Sequence, residues 1–198
     1  MVRFKLRIAK GIWRLRNDFH VWRKPSDYGP KIFIIGMNKT GTTSVGSALK
    51  MLGFDHFSAY LNKRPDVVGW FHKDKIDRLI WWASKFDSFD DGPWNKIQMI
   101  ERLDEKFAGS KFVLLHREKT SYIKSYLTYF AKRPSVVTLT DEELIWEEYC
   151  NHRQAVLDYF KGKEFQLLDI EVNDPQGFQK LTNFLGMEAI DEAFPHLN

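Results

Sequence analysis

The chain has 198 residues, 43% hydrophobic and 28% charged, a net charge of +4 and a single cysteine, Cys150. That is the composition of one ordinary globular domain, and it excludes fibrous, disordered and disulfide-framed architectures. One thiol gives no ligand pair, and His20, His56, His72, His116, His152 and His196 are scattered without ligand spacing, so no metal is expected. No stretch reaches the apolar length of a membrane span, residues 1–24 lack the apolar core of a signal peptide, and the free cysteine suits a reducing, cytoplasmic setting.

The charge is unevenly divided. Residues 1–24 hold eight Lys and Arg against Asp18 alone, a net of +7, which leaves −3 for residues 25–198. Within this arm Phe4, Ile8, Ile12, Leu15, Phe19 and Trp22 recur at steps of three and four, the spacing of a basic amphipathic helix. Such a helix either lies on an anionic membrane surface or packs its apolar stripe on the domain or on a second copy in a homodimer. No nucleic-acid partner is expected. Pro25 to Pro30 then reads as a linker, with two prolines and a glycine, and the main domain runs from 31 to 198.

Lys31-Ile32-Phe33-Ile34-Ile35 has the apolar run of a buried parallel strand, and Gly36 to Ser44 follows it as a turn into a helix. Unpaired N–H groups at a helix N-terminus bind phosphate. Gly36 and Gly41 have Walker A spacing, but Thr42 stands where that motif has its lysine, and the lysine, Lys39, comes two residues before Gly41. Thr40, Thr42, Thr43 and Ser44 add hydroxyl donors. Helix is expected over 44–52, irregular chain over 54–69, helix over 73–84, a short strand over 86–91 and helix over 95–108. Lys111 to Arg117 is a second apolar strand ending in charge, which places Arg117 at the carboxyl edge of a parallel sheet, where ligands collect. Ser125 follows eight residues later in a helix over 120–130. Residues 136–140 read as a mobile loop on the acceptor side. Helix over 142–160, strand over 165–170 and helix over 177–185 complete an alternation that argues a three-layer α/β/α domain around a central parallel sheet.

Asn38-Lys39-Thr40-Gly41-Thr42-Thr43 resembles the P-K-S-G-T-T loop of sulfotransferases that use 3′-phosphoadenosine 5′-phosphosulfate (PAPS), and Arg117 with Ser125 resembles their Arg and Ser pair. Asp87 to Trp94 is similar to the D-x-x-x-D-x-P-W stretch of one subgroup, and Phe184-Leu185-Gly186 and Phe194 to Asn198 continue the likeness. The resemblance implies the P-loop-type sulfotransferase fold, with Lys39 on the bridging oxygen and residues 38–44 around the 5′-phosphate. It further implies Arg117 and Ser125 on the 3′-phosphate, in-line transfer to a hydroxyl or amine of a small-molecule or carbohydrate acceptor, and adenosine 3′,5′-bisphosphate (PAP) as product. Two departures stand out. Ser44 occupies the place of the usual adenine-stacking Trp, and the family's later R-K-G loop has no counterpart, leaving Pro195 to Asn198 as a substitute or a plain tail.

The proton-accepting group is expected to be Asp91, with His56 and then His72 next in order, since the family places a His or Glu between the two cofactor motifs. Trp70, Trp81, Trp82 and Trp94 fall near the expected acceptor side and would suit a planar or sugar-like substrate or simply a packed core. A P-loop kinase is the competing reading, opposed by Thr42; a catalytically silent nucleotide-binding protein with a membrane- or partner-binding arm is the other.

Overall fold

The computed structural model describes residues 19–133 and 138–188. Strand β1 (Ile32–Ile34) leads through the loop into α1 (Thr42–Met51), followed by β2 (His56–Ser58), α2 (Pro65–His72), α3 (Ile76–Ala83), β3 (Ser88–Asp90) and α4 (Ile97–Lys106). Then come β4 (Lys111–His116), α5 (Lys119–Ala131), α6 (Glu142–Tyr159), a 3-10 turn (Glu164–Gln166), β5 (Leu167–Glu171) and α7 (Gly177–Phe184). All five strands are parallel, in the order β2-β3-β1-β4-β5. β1 leaves toward β2 on one side and β4 toward β5 on the other, so the crevice where connections diverge opens at the carboxyl ends of β1 and β4.

The pleat sorts side chains between two cores. Phe57, Phe89, Phe33 and Phe112 stand at one register across four adjacent strands. Their neighbouring ring centroids are 6.2, 5.2 and 5.4 Å apart, and they pack with Leu79, Trp82, Ile100 and Val156 of α3, α4 and α6. Each aromatic pair adds about 0.5–1.5 kcal/mol beyond the area it buries. On the opposite face Ile32, Ile34, Val113 and Leu115 meet Val45, Ala48 and Leu49 of α1 and Phe178 and Leu181 of α7. Helices on both faces of a parallel sheet make the three-layer α/β/α arrangement that the sequence predicts.

Two elements were not expected. Residues 54–69, read as irregular, contain β2 and most of α2. Three residues are too few to show a strand period, and β2 turns polar side chains inward. Pro65 occupies the first turn of α2, where its missing N–H costs nothing, and so starts a helix within the stretch read as irregular. Of the arm, residues 19–23 are helical and the rest lies outside the described residues. Val21 is buried in the main core, and Trp22 packs 5.2 Å from Trp81. The expected linker is fastened: Asp27 N donates to Ser84 O at 2.8 Å, Lys85 Nζ donates to Ser26 Oγ at 2.7 Å, and Tyr28 stacks on Phe107. Residues 134–137, which include the first two positions of the loop expected over 136–140, and 189–198 lie outside the described residues. Among the described residues no helix is long and apolar enough to cross a membrane.

Candidate active site

The loop after β1 is held from three directions. His152 of α6 lies 2.8 Å by Nε2 from the carbonyl of Ile35, and Asn95 donates from Nδ2 to that of Gly36 at 3.3 Å. Burial holds the His152 imidazole below its usual proton affinity, so the neutral ring presents an N–H to the carbonyl. From β4, Arg117 donates through Nη1 to the carbonyl of Lys39 at 3.0 Å and through Nε to Ser121 Oγ at 2.8 Å. The two stretches singled out in the sequence therefore meet across the crevice. Ser125 sits half-buried one turn beyond Ser121.

At the turn into α1, Gly41 has φ 91° and no side chain caps the helix. A Cβ there would stand 2.5 Å from Val172 Cγ2, so both the backbone angle and the close approach require glycine. No side chain takes up the first N–H groups of α1, and groups of this kind can bind a phosphate. The hydroxyls divide. Thr40 is buried and its Oγ1 donates to Met37 O at 2.6 Å, so it braces the loop from inside. Thr42 Oγ1 donates to Asp91 Oδ1 at 2.9 Å, while Thr43 and Ser44 are half-buried and Asn38 is exposed.

Lys39 and Asp91 are both non-glycine residues with left-handed backbones, φ 74° and 59°; Lys63 and Asp74 are the others among the described residues. Strain of about 1–3 kcal/mol per residue persists where the surroundings enforce it. Lys39 carries its Nζ 4.4 Å above the centre of the Tyr129 ring. Burial, and then the positive charges of Arg117 and Arg133, weaken its hold on a proton, against the opposing pull of Asp91 and Tyr60. For Asp91, burial and the neighbouring Asp90 push the carboxyl up to about 7, opposed by the Thr42 bond and by Lys39. A carboxylate poised there can take a proton near neutrality.

His56 is placed differently. It is 5% exposed at the amino end of β2, under α1, with Nδ1 2.9 Å from Ser88 Oγ. It does not face the crevice, so in this structure it cannot touch an acceptor. Trp70, Trp82 and Trp94 are likewise core residues, at 8%, 2% and 0% exposure, and do not line an acceptor surface. No group of three or more His, Cys, Asp and Glu side chains able to hold a metal occurs among the described residues.

The structure adds residues that the sequence reading passed over. Arg133 lies 3.6 Å from the Tyr129 ring centre and donates from Nη2 to Tyr60 Oη at 3.1 Å. Arg117, Ser121, Ser125, Tyr129 and Arg133 form a row of every fourth residue, from just before α5 to just past it. That four-residue period was visible in the sequence, where only its first and third members were weighed.

Many solved structures resemble this fold, among them two sulfotransferases and a kinase. A sulfotransferase domain from the curacin biosynthetic pathway aligns with TM-score 0.57 and 16% identity over 83% of this chain and 76% of its own. A sulfotransferase from Alicyclobacillus acidocaldarius gives 0.54 and 15%, over 85% of this chain and 86% of its own. A gluconokinase from Sinorhizobium meliloti 1021 gives 0.50 and 15%, over 81% and 93%. At such identities the likeness shows a shared fold alone. No curated protein sequence matches the chain. The sulfotransferase domain family model matches residues 31–138, more than half of the chain and both site stretches. The chain belongs to the sulfotransferase domain family.

Proposed function

We propose that the protein transfers a sulfuryl group from PAPS to a hydroxyl or amine of a small-molecule or carbohydrate acceptor, by in-line displacement. The observation that supports this reading is the 3.0 Å bond from Arg117 Nη1 to the Lys39 carbonyl, which sets a guanidinium, a group suited to phosphate, beside the loop. One phosphate fits the uncapped start of α1, and a second, 3′-phosphate fits Arg117 with Ser121 or Ser125 one turn apart. When bound, the donor supplies the sulfuryl group that the acceptor takes.

The side chains divide the remaining work. Lys39 leaves its Tyr129 contact to sit against negative charge that develops at the leaving phosphate, a role fixed positive charge performs without reorganising solvent. Thr42 fixes the direction of Asp91 through its 2.9 Å bond, and Asp91 accepts the acceptor's proton. Thr43 and Ser44 add hydroxyl donors around the 5′-phosphate.

Two measurements test the proposal. PAP should raise the melting temperature more than 5′-AMP, and more than ADP with Mg²⁺. Greater stabilisation by Mg-ADP would establish the kinase reading instead, and equal stabilisation by AMP and PAP would remove the role of Arg117. Lys39→Ala should lower kcat by about 10²–10³-fold while PAP affinity changes by less than about tenfold. An unchanged rate would overturn the mechanism.

A further inference from the structure

The α1 face of the sheet is aliphatic on β1 and polar on β2 and β3. At the registers of Ile32 and Ile34 stand Ser88 with His56, and Asp90 with Ser58, all no more than 5% exposed. His56 and Asp90 are the titratable members, and their side chains are fully covered. Asp90 makes no hydrogen bond through either carboxylate oxygen, and neither does His56 through Nε2, which lies 3.7 Å from Asp90 Oδ2. Burying an unbonded carboxylate costs several kcal/mol unless a partner charge offsets it. The fold makes room for that partner. Gly46 of α1 faces the imidazole, and a Cβ there would stand 2.4 Å from Nε2.

Asp90 is joined by one peptide bond to Asp91. We propose that His56 and Asp90 are positioning residues for Asp91: the buried carboxylate strengthens Asp91 as a proton acceptor, and the imidazole limits that effect by pairing with Asp90. The inference rests on Asp91 being the group that takes the acceptor's proton. Each neighbour of Asp91 has a definite sign. Lys39 from the loop and the Thr42 hydroxyl from α1 favour its ionised form, and Asp90 from β3 opposes it. Tyr129 from α5 senses the Asp91 charge, while Arg117 and Arg133 act on Lys39. His56, from β2, reaches Asp91 only through Asp90. The imidazole beside the buried carboxylate offsets its charge, so removing Asp90 and removing His56 should act on Asp91 in opposite directions.

The test is a ¹³C NMR titration of the Asp91 carboxyl in the full chain, its signal assigned by its loss in Asp91→Asn. Asp90→Asn removes the repelling charge and should move the Asp91 midpoint down by at least about 0.5 pH unit; His56→Gln leaves Asp90 uncompensated and should move it up by a similar amount. Midpoints that stay put in both variants, even with lowered melting temperatures, would reduce the pair to a packing role and overturn the inference. If His56→Gln does not fold, Asp90→Asn, which keeps the side-chain size, decides alone. Failure of the parent reading looks different: Asp91→Asn would consume PAPS as fast as the wild type with a panel of simple phenols, alcohols and amines, whatever the titration showed.

Discussion

Asp91 combines a left-handed backbone with a carboxyl pushed up to about 7, and both features cost stability. The sign follows from linkage. Between its ordinary 3.8 and about 7 the folded chain keeps a proton that the unfolded chain has released, so stability falls as pH rises through that window. Asn cannot ionise, so Asp91→Asn should melt about 2–6 °C above the wild type at pH 8, with the gain vanishing near pH 4, while turnover is lost. A melting temperature at pH 8 equal to or below that of wild type would show that the carboxylate is better accommodated than its surroundings imply. Gly46 carries a prediction of a different kind. Gly46→Ala drives a methyl group into the His56 ring, which Ser88 and α1 hold in place, so about 1–3 kcal/mol of stability should be lost in urea unfolding. The same variant should disturb the Asp91 titration in the direction of His56→Gln, since it displaces the same imidazole.

β1 is followed by two carbonyls, of Ile35 and Gly36, that no strand partner takes up; α6 and the turn before α4 supply His152 and Asn95 for them. Because His152 is held neutral, the unfolded chain takes up its proton first as pH falls below about 6.5, and stability declines until the depressed native value is reached. The decline should be at most about 1.4 kcal/mol per pH unit, and His152→Gln, which keeps a donor but cannot titrate, should flatten that limb in denaturant titrations between pH 7 and 5. This bond was not legible in the sequence, since 117 residues separate its partners and a lone helical histidine carries no sign of what it will face. Long periodic helices such as α4, α5 and α6 were legible to within two or three residues, because their apolar faces repeat over several turns. β2 was not, since His56-Phe57-Ser58 shows its polar members inward and its neighbour Phe89 only in three dimensions. At the site, the loop and Arg117 could be read from spacing and residue type. Tyr129 and Arg133 continue the four-residue row that begins at Arg117, but Tyr60 could not be read, because it is an ordinary surface residue until the β2–α2 segment meets Arg133.

Among the described residues, the cations of the site and the end of the basic arm stand at opposite ends of the strands. Lys39 and Arg117 gather at the carboxyl ends of β1 and β4. The end of the basic arm is fixed at the amino ends: Lys24 pairs with Asp55, which precedes β2, Asp27 is bound beside Ser84, and Tyr28 covers Phe107 before β4. Stability at one edge and ligand binding at the other should therefore respond to different substitutions. Val21→Asp places a charge at an 8% exposed core position and should cost about 2–4 kcal/mol in unfolding, yet leave the PAP dissociation constant of the folded protein within about twofold of wild type. Arg117→Met should do the reverse. Losing a phosphate-directed guanidinium should weaken PAP by more than about tenfold and 5′-AMP by less than about threefold, with little change in the ligand-free melting temperature, since a half-exposed side chain contributes modestly to the fold. Calorimetric titration of both variants with both nucleotides separates the outcomes. If Val21→Asp weakened PAP as strongly as Arg117→Met, the two edges would be coupled through the short strands, and the arm would have to be counted as part of the site.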